Sequence, residues 1–189
     1  VVKHLSKDGK ARLSELGLAE VFDFPKPVSL VKSLILGISF GQPGCQDIIM
    51  DFFAGSGTTA DAVLQQNAED GGRRRFVLVT LPEKLEAGSV AAKAGFKTIA
   101  DITYARVRAA MASLPADTNG GLRVFALQQS GFRQARTPAT GELFNMEEST
   151  LVSHEWDAVA AEVLLKEGVP LDVPWARCYL AGARAVVAG

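Results

Sequence analysis

An aspartate, two phenylalanines and a small-residue loop stand in a row at Asp51-Phe52-Phe53-Ala54-Gly55-Ser56-Gly57-Thr58. The apolar run from Ile48 to Phe53 reads as a short strand buried on both faces, and Thr58 to Gln66 as a helix. A carboxylate at the end of that strand then shares one concave spot with the first N–H groups of the helix. Those N–H groups have no intrahelical partner and favour negative charge. Gly55 and Gly57 let a ligand approach the backbone with no Cβ in the way. Ser56, Thr58 and Thr59 add hydroxyls for capping or contact. Such a spot suits a small ligand with both positive and negative groups.

Several ligands fit the loop as a pattern. Gly55-x-Gly57-x-x-Ala60 matches the dinucleotide fingerprint, and a pair of glycines that only makes a tight strand-to-helix turn would look the same. A phosphate-binding loop is excluded, because no lysine follows the second glycine. Asp51 would repel a pyrophosphate. S-adenosylmethionine carries a sulfonium and an ammonium beside a carboxylate, and its ribose adds hydroxyls. Its positive groups suit Asp51, and the others suit the loop and the helix start. The charge logic favours it over a dinucleotide.

The elements that must hold this loop follow from periodicity and breakers. Pro27 suits a first helical turn, and the apolar spacing after it predicts a helix over about 28–36. Phe76 to Leu81 reads as a second buried strand ended by Pro82. Ala87 to Ala94 reads as a short helix. Ile99 to Leu114 reads as a longer one, with Ile102, Val107, Met111 and Leu114 inward and Arg106 and Arg108 outward. Leu122 to Leu127 reads as a third strand, and residues 128–150 as polar and irregular. Trp156 to Glu167 reads as a helix ended by Gly168. Residues 1–20 show no clear strand pattern. Strands alternating with helices predict an α/β chain with a doubly wound parallel sheet, for which three strands are few.

Composition narrows the classes further. With 189 residues, 48% hydrophobic, the chain can bury a core of its own. Twenty Lys and Arg against 21 Asp and Glu leave no global charge for nucleic acid. Cys45 and Cys178 are isolated, and no apolar run is long enough to span a bilayer, so a cytoplasmic protein with no membrane partner is expected. His4 and His154 have no partners at metal or triad spacing, and no metal site is expected. Arg73-Arg74-Arg75 reads first as a solvated turn. Phe125, Phe132 and Trp156 read as core or subunit-contact residues.

Beyond these readings, Asp51 with Phe52 to Thr59 resembles motif I of the amino-group DNA methyltransferases. Phe24-Pro25-Lys26-Pro27 with Leu30 resembles their motif X. The match continues through Asn67 to Val79 and Leu81-Pro82-Glu83. Motif X just before motif I resembles the beta class, and the Asn-Ala-Glu-Asp-Gly-Gly turn is most similar to modification subunits of type III restriction systems. Thr98 to Ile102, Arg106-Val107-Arg108, Gly121 to Phe125 and Leu164 to Leu171 extend the likeness over roughly residues 20–175.

The resemblance implies a Rossmann-like methyltransferase fold, a partial doubly wound parallel sheet with helices on both faces. It implies a lead-in at 1–20, a half-domain at 21–127 bearing motifs X, I and II, and an appendage at 128–189 with the helix 156–167. S-adenosylmethionine is the implied cofactor, lined by Asp51, Phe52, Phe53, Ala54, Gly55, Ser56, Gly57 and Thr58. Lys26 and Pro27 would sit at its methionine end, where the lysine can pair with the carboxylate. Relatives use an acid at the end of the second strand for the ribose; Thr80 stands there, leaving Glu83 as the nearest carboxylate. The implied activity is methylation of the adenine amino group in DNA. The implied partners are DNA, a second modification subunit and a restriction subunit.

The family also uses an Asp/Asn/Ser-Pro-Pro-aromatic motif to hold the flipped base. No Pro-Pro dipeptide occurs among the 189 residues. In the beta-class order that motif precedes motif X, and the chain opens Val-Val-Lys, so the expectation is a C-terminal portion, inactive alone, with no catalytic residue of its own. Gly44-Cys45-Gln46 lacks the proline and the position of the cysteine motif of ring-carbon methyltransferases. An orphan donor-binding or subunit-interaction module, or a dinucleotide oxidoreductase domain, would be the alternatives.

Overall fold

Parallel pairing of two short apolar strands frames the first of two compact units, 1–120 and 121–189. The computed structural model describes residues 5–39, 44–115, 120–130, 132, 155–170, 172–180 and 183–188. His4, His154 and most of 128–150 lie outside the described residues.

The first unit runs α1 (Ser6–Glu15), α2 (Val28–Ser39), β1 (Ile48–Asp51), α3 (Thr58–Asp70), β2 (Arg75–Leu78), α4 (Val90–Lys93) and α5 (Ile99–Ala112). β1 pairs with β2 from Ile48 opposite Arg75 to Asp51 opposite Leu78. The pairing continues past the strand ends, where Val79 N–H donates to the Asp51 carbonyl (2.8 Å) and Ala54 N–H to the Val79 carbonyl (3.1 Å). Ile49 and Phe76 point into a cluster of Val28, Ile35, Ala62 and Val63, so α2 and α3 cover one face. α3 is the centre of the unit, packed on α2, α5 and both strands.

Three expectations are corrected here, and residues 1–20, which show no strand pattern, hold a helix. β1 and β2 are not buried on both faces: Ile48, Met50 and Val77 are exposed at 56%, 55% and 44%, because the described helices pack on the opposite side. Residues 6–15 form α1, although Gly9 disfavours a helix interior. The gain is close packing, since a Cβ at Gly9 would lie 2.2 Å from the Pro25 carbonyl oxygen. Arg106 does not face outward but is fully buried. Arg74 is not in a solvated turn; it is buried and donates to Asp70 (2.9 Å) and Asn67 (3.3 Å), tying the end of α3 to the start of β2.

The second unit holds α6 (Trp156–Lys166), β3 (Trp175–Leu180) and β4 (Ala183–Ala188), the strands forming an antiparallel hairpin from Trp175 opposite Ala188 to Leu180 opposite Ala183. Leu122 to Leu127 is not a strand; it runs without regular structure, and Leu127 is fully exposed. The fold is therefore mixed α/β, with one two-stranded sheet per unit among the described residues.

Candidate functional site

The loop after β1 is built by backbone geometry. Gly55 (φ 49°) and Gly57 (φ 79°) both take left-handed conformations, which L side chains resist. At Gly57 space is also short: a Cβ would stand 3.2 Å from both the Thr103 methyl and the Thr103 carbonyl oxygen. Gly57 N–H closes the turn on the Ala54 carbonyl (2.7 Å). Gly57 is also the N-cap of α3 and supplies no side-chain cap, so the first-turn N–H groups have no partner within the helix.

Asp51 is held at the rim of this loop. Its Oδ1 accepts from Phe53 N–H (3.0 Å) and its Oδ2 from the Thr59 hydroxyl (2.6 Å). The carboxylate is half-buried and its orientation is fixed by these two donors. Phe52 and Phe53 stand beside it, 60% and 88% exposed, ring edge to ring face with centroids 6.4 Å apart. Ala54 is buried beneath. The Lys26 segment reaches the same place from α2, because the Thr58 hydroxyl donates to the Lys26 carbonyl (3.4 Å). The Lys26 side chain is exposed and Pro27 buried.

Glu83 is placed differently. Its carbonyl accepts from Ile99 N–H (2.9 Å), and Lys84 bridges to Thr98, so the segment is tied to the start of α5. Its side chain is exposed. The structure thus brings Asp51 to Thr58 together with the Lys26–Pro27 backbone, and fastens Glu83 to α5.

Sequence reasoning missed the polar residues under the loop. Asp61, fully buried on α3, accepts from Arg12 of α1 through Nε (3.2 Å) and Nη2 (3.1 Å). It accepts from Arg106 of α5 through Nε (3.3 Å) and Nη2 (3.1 Å), and from Gln65 (2.9 Å). Arg106 Nη1 continues upward, donating to the Ser56 hydroxyl (2.9 Å) and the Thr58 hydroxyl (2.8 Å). Thr103, one turn earlier on α5, donates to the Gly55 carbonyl. The hydroxyls of Ser56 and Thr58, expected at the ligand, are engaged with Arg106.

Burial pushes the Arg106 pKa down against the attraction of Asp61. Burial works the same way on Arg12, yet its hydrogen bonds and attraction to Asp61 and Glu15 outweigh it and raise the pKa. The difference follows from exposure: the Arg12 side chain keeps 19% of its surface in solvent and the Arg106 side chain none. A signal for this network was present in the sequence. Asp61 sits inside Ala60-Asp61-Ala62-Val63-Leu64, where a carboxylate without cations would be expensive. Arg106 interrupts the helical stripe Ile102, Thr103, Val107, Ala110.

Among the described residues no group of three or more His, Cys, Asp or Glu side chains could hold a metal ion. None of their helices is long and apolar enough to cross a membrane.

A strand ending in an acid, a two-glycine turn and an open helix start meet at one place, and known proteins resemble the chain here. Residues 2–87 match the family described as DNA methylase. Similar proteins include Mod subunits of type III restriction-modification enzymes and a type II methyltransferase. The chain is 31% identical to the Mod subunit of the type III restriction-modification enzyme EcoP15I from Escherichia coli over 186 residues, 94% of this chain and 28% of that protein. It is 41% identical to the StyLTI Mod subunit of Salmonella typhimurium over 112 residues, 59% of this chain and 17% of that protein. It is 39% identical to the type II methyltransferase M.KpnI of Klebsiella pneumoniae over 89 residues, 47% of this chain and 20% of that protein. The chain spans between 17% and 28% of the length of these relatives.

Proposed function

We propose that this chain is the donor-binding part of a type III modification methyltransferase that methylates the adenine amino group in DNA. The observation that carries the reading is the pinned Asp51 carboxylate beside the Gly55–Thr58 turn and the uncapped start of α3. That donor set fits S-adenosylmethionine. The fixed carboxylate suits its cationic groups, and the helix start suits its carboxylate. A pyrophosphate would bring negative charge against Asp51. When bound, S-adenosylmethionine supplies an electrophilic methyl group. The chain's part is to orient the donor through Asp51 and the turn, with Lys26 and Pro27 at the methionine end and Phe52 and Phe53 as apolar walls. Glu83 is the proposed ribose ligand.

Alignment and charge placement supply the rate in such a transfer. The residues that hold the target amine would have the Pro-Pro-aromatic form, which these 189 residues do not contain. In this reading the chain alone binds the donor and transfers nothing. The Rossmann-like fold, contact with DNA, pairing with a second modification subunit and a restriction subunit, and a cytoplasmic setting belong to the same proposal. A second reading, a donor-binding or subunit-interaction module, draws on the exposed sheet face of Ile48, Met50 and Val77.

Calorimetry on the chain tests the donor reading. S-adenosylmethionine is expected to bind and NAD not to. Asp51→Asn removes a charge-assisted contact, of about 1.5–3 kcal/mol, and should weaken binding roughly ten- to hundredfold. NAD binding without S-adenosylmethionine binding would overturn the proposal.

A further inference from the structure

The most deeply buried cation of the loop region lies behind the turn rather than on it. Arg106 directs its donors in two directions. Nε and Nη2 go to Asp61, and Nη1 goes to the hydroxyls of Ser56 and Thr58. Thr103 adds a third hold on the same turn through the Gly55 carbonyl. Asp61 is itself fixed by Arg12 from α1. Three helices therefore meet at one carboxylate, and the turn hangs from the guanidinium that this carboxylate orients. Buried ionic groups often contribute little net stability against apolar packing, and in some proteins they specify one arrangement.

We propose that Arg106, oriented by Asp61 and Arg12, is a positioning residue that sets the Gly55–Thr58 turn in its ligand-ready shape. Its functional half rests on the donor-site reading above; its structural half does not. Arg106 acts through Ser56 and Thr58, whose backbone N–H groups belong to the proposed cradle. The planar fork suits this role, since Nε and Nη2 face Asp61 while Nη1 faces both hydroxyls, whereas an ammonium offers a single nitrogen.

Arg106→Lys in the full chain keeps the charge and removes the fork. Two measurements read the result: amide hydrogen exchange at Gly57 against the core amides of Val63 and Ile102, and calorimetric affinity for S-adenosylmethionine. The expected outcome is exchange at Gly57, whose N–H is bonded to the Ala54 carbonyl, faster by about tenfold or more with Val63 and Ile102 still protected. Affinity should fall by about tenfold. Wild-type exchange at Gly57 overturns the proposal. Faster exchange with unchanged affinity overturns its functional half. If the wild-type chain binds no S-adenosylmethionine while exchange at Gly57 still accelerates, the donor reading fails and the clamp stands. Should Arg106→Lys not fold, Ser56→Ala combined with Thr58→Val removes the two Nη1 acceptors, leaves the Arg106–Asp61 pair, and decides by the same readouts.

Discussion

Gly57→Ala and Gly71→Ala form a matched pair that separates backbone strain from packing at the turn. Both glycines flank α3 and both are left-handed, at φ 79° and 68°. An alanine at either position meets a strain of about 1–2 kcal/mol. The surroundings differ. Nothing lies within 4 Å of a Cβ at Gly71, whereas at Gly57 the Cβ would press on the Thr103 methyl and carbonyl oxygen at 3.2 Å. The carbonyl belongs to the backbone of α5 and cannot rotate aside, so a few tenths of an ångström must come from moving the helix or the turn. Overpacking of this kind adds about 1–3 kcal/mol. Gly71→Ala should therefore lose about 1–2 kcal/mol and Gly57→Ala roughly 2–5 kcal/mol. Urea unfolding followed by far-UV circular dichroism measures both, and with a slope of about 1–3 kcal/mol/M the midpoints should differ clearly. Equal midpoints for the two variants would refute the claim that α5 is pressed against the turn.

Asp61→Asn leaves Arg106 buried beside a neutral amide and should destabilise the first unit by about 3–5 kcal/mol, read by the same urea titration. A wild-type midpoint would show that the Asp61 charge does not hold Arg106 and Arg12 in place. The pH response follows from two carboxylates. The Arg74 hydrogen bond holds Asp70 below the usual carboxylate range, and the N–H groups of Lys97 and Thr98 do the same for Asp101. A depressed folded pKa contributes stability above the unfolded value, near 3.9, and loses it as pH falls through the folded value. The stability gap between the wild-type chain and Asp70→Asn should thus be present at neutral pH and close below about pH 4. A gap that widens on acidification would contradict the pairing.

How much of this was legible in the sequence depended on whether local pattern and tertiary context agreed. α2, α3, α5 and α6 were readable because capping, breakers and apolar spacing pointed the same way. The capping pair at Thr98 and Asp101, for instance, starts α5 where the apolar stripe begins. α1 was not readable, because its Gly9 carries a low helix propensity and is explained only by the backbone of Pro25 a short distance away. The β3–β4 hairpin was hidden by alanines and arginines with weak strand preference, while Leu122 to Leu127 has the composition of a strand and forms no ladder among the described residues. Charge was the other blind spot. Arg73-Arg74-Arg75 and Arg106-Val107-Arg108 look alike as solvated basic runs, yet one arginine in each is buried because an acid on α3 waits for it. Asp61, set among apolar neighbours, was the acid whose position announced that partners had to exist.

That division bears on which atoms are left to meet a ligand. Every hydroxyl of the turn is already engaged: Ser56 and Thr58 with Arg106, and Thr59 with Asp51. The groups that remain are backbone N–H donors at the start of α3 and the Asp51 carboxylate. Recognition by backbone donors demands a fixed backbone, since their direction is set by φ and ψ rather than by a rotating side chain. A turn containing two left-handed glycines is intrinsically loose. The buried Arg106–Asp61–Arg12 group and the close approach of Thr103 supply the missing rigidity from α1, α3 and α5. The glycines that open the cradle and the arginine that stiffens it are therefore parts of one solution, and a variant of either should be felt at the same backbone N–H groups.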